Sequence, residues 1–384
     1  MAFFLHTNNM PTPFAWHPLC KRRRVHAQSQ GKEATMNRSL IDHPVSRRAV
    51  LLGASAAALT SVLPLRAKAA QELVVGMYPG AWEDAYTAIV VPALQKQDID
   101  LSFASLLADD EVAKASASRG KPPFDALVLD PGPRIVAIDA GILEPFDATK
   151  LTNRDFVPPV FVDQWGVGVS AQMIGIGYNP KKVDKPTGWL DLLSPKYYGK
   201  VGLTGFQTSS SVLGLLEMNK QLGGSVDDVS PLFKALKEFL PHAGAVGDGV
   251  SIPTLFQQGQ IDVLFHTYTG ISNLQARGVD IEFVNPDSGT PMFYNTLHIA
   301  KGAQQPDLAY KYIDTVISAP VQTALQAKPY NFLSVNNNVD LSADFPPSVI
   351  KSHDDLAKMI TYDWAKINKY LPGWVDEYTK TVAS

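Results

Sequence analysis

A single cysteine, Cys20, stands in 384 residues, ahead of every segment with regular hydrophobic periodicity. Beyond residue 69 the chain therefore holds no thiol, which excludes a disulfide framework, a thiolate nucleophile and a cysteine metal site there. Histidine is also scarce, with His242, His266, His298 and His353 the four beyond that point. Each is read as a surface or satisfied core residue rather than a base or metal ligand. There is no Gly-x-Ser-x-Gly elbow, no His-Glu-x-x-His and no glycine-rich phosphate loop. Ser209, His242 and Asp248 carry the atoms acyl transfer needs, but without a motif around them catalysis is not expected.

Positive charge is outnumbered over most of the chain. Ten of the 34 Lys and Arg residues, but only Glu33 and Asp42 of the 37 acids, lie in the first 70 positions, leaving 24 basic against 35 acidic residues beyond them. Nucleic acid and anionic membrane surfaces are poor partners for such a balance. The basic front segment reads as an export leader over residues 1–69. Ser46-Arg47-Arg48 opens an apolar run lasting to Leu65, and Ala67-Lys68-Ala69 supplies the small-x-small pattern that signal peptidases cut. The paired arginines resemble a twin-arginine signal, with Val50 where Phe is usual and Met36 a fitting start. The run falls short of the roughly 20 strongly apolar residues a membrane span wants, so no stable insertion is expected after leader removal. No Cys follows it to carry a lipid, and the periplasm is the expected location.

The remaining length suits two modest domains at roughly 100 to 200 residues each. Leu73 to Met77, Ile99 to Phe103 and Phe124 to Leu129 read as strands, and helical spacing recurs between them, giving a βαβαβ opening. Val167 to Tyr178 alternates apolar with small residues as a strand, after which Pro180 and Pro186 break any helix. Further strands are expected at Lys200 to Leu203, Ile261 to Phe265 and Met292 to Ala300. Helices are expected at Ser210 to Leu222, Pro231 to Leu240, Ile252 to Gln258, Asp307 to Ile317 and Pro320 to Ala327. No internal repeat or low-complexity tract appears.

The order Ile176-Gly177-Tyr178-Asn179-Pro180, Trp189-Leu190-Asp191-Leu192 and Pro195-Lys196-Tyr197-Tyr198-Gly199-Lys200-Val201 resembles the centre of the family 1 extracellular solute-binding proteins. The likeness runs to the branch that holds the spermidine and putrescine receptors. Gly141-Ile142-Leu143-Glu144-Pro145 and Gly259-Gln260-Ile261-Asp262 add to it, and it covers about residues 71–384. The resemblance implies an α/β, type II periplasmic binding protein of two lobes, each a mixed, mostly parallel sheet flanked by helices, with crossing hinge strands. One lobe is then expected over 70–177 plus 295–340 and the other over 178–294 plus 341–384. Hinge closure near Tyr178-Asn179 and Phe293 to Asn295 would capture a small-molecule solute, which a monomer hands to an ABC permease in the inner membrane. No cofactor and no metal site are expected.

In open α/β sheets ligands bind beyond the carboxyl ends of strands, so five loops are candidates. Tyr78 and Trp82 follow the first strand, where Trp82 could instead staple the helix. Asp130 ends a buried strand and could instead cap the next helix. Thr208, Ser209, Ser210 and Ser211 open a helix whose free amides suit an anion, although one cap explains one serine. His266 and Tyr268 follow the strand at 261–265, and Phe293, Tyr294 and Asn295 stand where the polyamine receptors show Trp-x-Asp. With serines and Asn295 in place of their acids, a long polyamine would leave an unpaired buried charge. That cost is several kcal/mol, comparable with the roughly 8 kcal/mol behind micromolar affinity. Glu83, Asp84, Asp130 and Asp248 suffice for one amine, so an amino-acid-like zwitterion or a carboxylate fits better. Ferric iron is an alternative solute, for which the adjacent Tyr197-Tyr198 pair is the available donor set. Trp189, Tyr197 and Tyr198 are otherwise expected in the core.

Overall fold

The computed structural model describes residues 71–341, 350, 352–356, 359 and 361–383. The export leader, the twin-arginine pattern and Met36 lie outside them. Strand β1 (Gln71–Met77), helix α1 (Ala81–Gln95), β2 (Ile99–Ser105), α2 (Ala108–Ala117), β3 (Ala126–Leu129) and α3 (Pro131–Asp139) form the opening expected from the sequence. β1 pairs in parallel with β2 on one side and β3 on the other. The carboxyl ends of β1 and β3, carrying Tyr78 and Asp130, therefore come out at the same edge of one sheet.

After β4 (Val162–Asp163) comes β5 (Gly166–Tyr178), thirteen residues all buried. Its first half pairs with β4 and with β10 (Met292–Ile299), and β10 also lies antiparallel to β3. Its second half pairs with β8 (Val263–Thr267) and β9 (Glu282–Val284). One strand thus joins two sets of elements. The small residues that alternate along it are required by close approach: a Cβ on Gly175 would come within 2.4 Å of the Phe283 ring.

Between β5 and β10 lie β6 (Gly202–Thr204), α4 (Ser209–Gln221), α5 (Ser230–Phe239), β7 (Ala245–Gly247), α6 (Ser251–Gln257) and α7 (Tyr268–Ala276). The Trp-x-Asp-Leu segment is a short 3-10 helix, Trp189–Leu193, rather than an α-helix, with the Asp191 carboxylate accepting the amides of Thr187 and Gly188. Trp189 and Tyr197 are buried, as expected. Tyr198 is not: it is 37% exposed and stacks on His242 with ring centroids 4.1 Å apart.

Two large cores result. One lies against β1, β2 and the first half of β5 and includes α8 (Pro306–Ile317) and α9 (Ala319–Gln326). The other gathers the second half of β5, α4, α5 and Phe206. After the short helix α10 (His353–Leu356), α11 (Trp364–Ala383) packs Trp374 and Tyr378 on Phe206. It also donates a 2.8 Å bond from Asn368 to the Gly132 carbonyl of α3. The tail expected wholly on the second lobe therefore contacts elements on both sides.

Candidate functional site

Asp130 occupies the N-cap position of α3, where a carboxylate ordinarily accepts an amide of the first turn. It makes no such bond. Its Oδ1 accepts instead from the Tyr78 hydroxyl at 2.9 Å and from the Asn295 amide at 2.6 Å. A register shift between Asn295 and Thr296 marks an irregularity of β10 at this point, the kind of feature that re-aims a side chain. Burial raises the Asp130 carboxyl above its usual range, opposed by the hydrogen bonds of Tyr78, Ser209 and Asn295. Burial likewise raises the Tyr78 phenol, with the charge of Asp130 adding to the effect.

Ser209 comes from the other side, at the start of α4. Thr208 and Ser211 there form a reciprocal cap: the Ser211 amide donates to Thr208 Oγ1 at 3.2 Å and the Thr208 amide to Ser211 Oγ at 3.1 Å. Ser210 sits 3.1 Å from the Thr208 hydroxyl. Capping thus engages Thr208 and Ser211, whereas Ser209 turns to Asp130. The negative group facing this helix start is the protein's own carboxylate, which alters the expectation of a ligand anion there.

Beneath this network lies Glu111 of α2, fully buried, its carboxylate oxygens lacking a hydrogen-bond partner of standard geometry among the described residues. Burial and the neighbouring Asp130 push its carboxyl well up, opposed by the Val128 backbone. It fits because residue 76 is glycine, where a Cβ would come 2.8 Å from the Glu111 carboxyl carbon.

Two hollows flank the network. The first, about 250 Å³, is bounded by Asp109, Asp130, Phe206, Thr208, Ser209 and Trp364. The second, about 330 Å³, includes Trp82, Gln172, Val250, His266, Asn273 and Arg277. Trp82 packs on Tyr78 with centroids 5.5 Å apart and edge-on to Phe332 at 4.6 Å, so it is both a core plug and a wall of the second hollow. Burial lowers His266 to about 4, leaving it neutral at physiological pH; its Nδ1 accepts the Thr267 amide at 2.7 Å.

Four expected site residues do not join this arrangement. Asp248 is exposed, and its carboxylate accepts the amides of Val250 and Ser251 at 2.9 and 2.7 Å, an ordinary Asx turn into α6. Tyr268 is buried against Phe283. Phe293 is buried, and with Tyr294 it bounds a separate hollow beside Arg134 and Tyr362. Alternation along β10 turns Tyr294 away from the face that Asn295 uses, toward Phe161.

Gln172 and Arg277 were not anticipated. Gln172 lies inside the fully buried β5, where nothing local marks it. Arg277 had a signal: residues 270, 273, 274 and 277 follow helical spacing, and all four bound the second hollow. The residues considered for catalysis have separate surroundings, with His242 on Tyr198, Ser209 facing Asp130 and Asp248 in its turn. Among the described residues no group of three or more His, Cys, Asp or Glu is arranged to hold a metal ion. No helix among them is long and apolar enough to cross a membrane.

A crossing strand between two cores, with polar loops meeting at its middle, defines a two-sided cleft protein of the periplasmic binding protein fold. A model of bacterial extracellular solute-binding proteins matches residues 88–354, and the chain belongs to that family. An uncharacterized protein of Haemophilus influenzae is 24% identical over 289 residues, 71% of this chain and 79% of that protein. A probable ABC transporter periplasmic-binding protein of Sinorhizobium fredii is 26% identical over 211 residues, 53% of this chain and 57% of that protein. The fold is shared with the Agrobacterium tumefaciens R10 periplasmic binding protein in complex with agropinic acid, at TM-score 0.66 and 19% identity over 82% of this chain and 99% of that one. It is also shared with an Actinobacillus pleuropneumoniae periplasmic binding protein holding fructose-6-phosphate, at TM-score 0.62 and 21% identity over 82% and 97%.

Proposed function

We propose that this chain is the solute-binding component of an ABC uptake transporter, working in the periplasm after removal of its leader. It captures a small polar organic solute between two lobes and passes it to a membrane permease. The observation that carries the reading is Asp130: a strand-end carboxylate at a helix start that bonds Tyr78 and Asn295 and faces Ser209 across the cleft, rather than capping its own helix. Groups from both sides and from β10 thus converge on one point. A solute contacting all of them favours the closed form by its differential affinity.

The named ligands of the structural relatives, agropinic acid and fructose-6-phosphate, differ in chemistry, so the fold leaves the solute class open. A long polyamine remains disfavoured, since Ser209 and Asn295 supply no second and third charge. The test is a thermal-shift and X-ray scattering screen against amines, amino acids, carboxylates, sugar phosphates and ferric iron. A true solute raises the melting temperature by linkage and alters the radius of gyration. A stabilising solute that leaves the scattering curve unchanged would remove hinge closure, and the absence of any stabilising solute would remove the receptor reading.

A further inference from the structure

The hollow beside Arg134 and Tyr362 is about 280 Å³, and Arg134 of α3 is the one charged residue in its described lining. The guanidinium gives one Nη to the half-exposed Asp163 carboxylate, while its Nε is buried and has no hydrogen-bond partner among the described residues. Thr296 of β10, 2% exposed, borders the same hollow, and its hydroxyl also lacks a partner among them. The other polar groups of the lining are engaged or at the rim. Tyr294 donates to the Val160 carbonyl at 3.3 Å, Tyr362 donates to Glu217 Oε1 at 2.6 Å, and Thr361 is exposed. Two unmet donors thus belong to residues of one hollow, and a buried donor without an acceptor is costly. The missing partner is an acceptor. Phe293 and Trp364, edge-on with centroids 6.5 Å apart, join Tyr294 and Tyr362 in the lining, and rings on several sides of one space suit a flat guest ring.

We propose that this hollow is a second ligand site, distinct from the solute network around Asp130, and that it takes a small aromatic carboxylate. The carboxylate oxygens face Arg134 and Thr296, and the ring lies among Phe293, Tyr294 and Trp364. A carboxylate is the acceptor that matches the planar donors of a guanidinium, and no Asp or Glu stands in the described lining to oppose it. Size agrees. At roughly 30 Å³ per water-sized group, 280 Å³ admits about nine such groups, the number of non-hydrogen atoms in benzoate. The hollow also joins the two cores: Tyr294 packs against the first, whereas Phe293 belongs to the second and Tyr362 and Trp364 pack on it. A bound acid therefore bridges both. The site stands whatever solute the Asp130 network takes.

The experiment titrates the purified protein with benzoate, benzamide, benzylamine and cyclohexanecarboxylate, read by calorimetry and thermal shift. Benzoate is expected to bind saturably, benzamide at least tenfold more weakly and benzylamine not at all. Cyclohexanecarboxylate should bind more weakly than benzoate, because a puckered ring cannot lie flat among aromatic ones. Arg134→Lys keeps the charge and a partner for Asp163 but loses the planar donors, and should weaken benzoate at least tenfold. Thr296→Val should weaken it at least threefold while the free protein melts no lower, since a buried hydroxyl without a partner is removed. Asp130→Asn should leave benzoate affinity unchanged. No saturable benzoate binding, equal binding of benzylamine, or full benzoate affinity in Arg134→Lys or Thr296→Val would overturn the assignment. A loss of benzoate affinity in Asp130→Asn as large as that in Arg134→Lys would make the hollow part of the solute site and overturn its independence. The receptor reading is decided apart from these outcomes, by the wider solute screen.

Discussion

Asp130 and Asp248 occupy equivalent places, each following a strand and leading into a helix, yet the fold treats them oppositely. Asp248, after β7, is exposed; the amides and hydroxyl of its own turn hold its carboxyl below the usual range. Asp130, after β3, ignores its own turn, is bonded by residues 52 and 165 positions away, and is raised by burial. A capping aspartate is satisfied by its neighbours and needs nothing further. An aspartate held by distant side chains in a buried setting has been positioned against the local preference, and such exceptions gather at functional sites.

Replacing each residue by its nearest isostere sharpens the contrast. Asp130→Asn is expected to give the largest effect, a loss of at least tenfold in affinity for the solute, or about 1.4 kcal/mol. Melting of the free protein should hold or rise, because a buried charge without an ionic partner disappears. Calorimetry and thermal melts check the two halves separately. A fall in stability with unchanged affinity would make Asp130 a structural residue like its counterpart.

Glu111 extends the comparison to pH. Its folded carboxyl is raised above the unfolded value by burial, so the stability it contributes is fully present below that value and is lost as pH rises through the raised one. Asp248 has the opposite sign: its lowered carboxyl adds stability above the unfolded value, lost as pH falls through the folded one. Glu111→Gln should therefore flatten the decline in melting temperature toward neutral and alkaline pH while leaving the acid limb in place. A variant with the wild-type slope on the high-pH side would mean that Glu111 carries no such penalty.

Local pattern and long-range contact divide what the sequence reveals. The small-apolar alternation of Val167 to Tyr178 announces β5, because a strand buried on both faces and crowded by the Phe283 ring admits little else. Thr208 and Ser211 are legible as a cap, since capping acts over three residues. That Ser209, between them, faces Asp130 depends on how two sheets are brought together, and no spacing encodes it. Tyr294 fails for a related reason: its likeness to a site position holds along the chain, but the strand turns it toward Phe161 and the Val160 carbonyl. Trp364 lies 234 positions beyond Asp130 and borders the same hollow, a proximity created only when α11 lies across α3.

The smallest predicted effect belongs to the aspartate that obeys local rules. Asp248→Ala removes the acceptor for the Val250 and Ser251 amides, which for an exposed cap costs about 1 kcal/mol. For a chain of this size that lowers the melting temperature by roughly 2 °C. Solute affinity should be unchanged, since the carboxylate is turned into its own helix start, although Gly249 and Val250 beside it border the second hollow. Measuring both quantities decides between two descriptions of this corner. A small stability loss at constant affinity keeps Asp248 as a cap, whereas an affinity loss as large as that of Asp130→Asn would mean that the α6 corner swings its carboxylate into the cleft when solute binds.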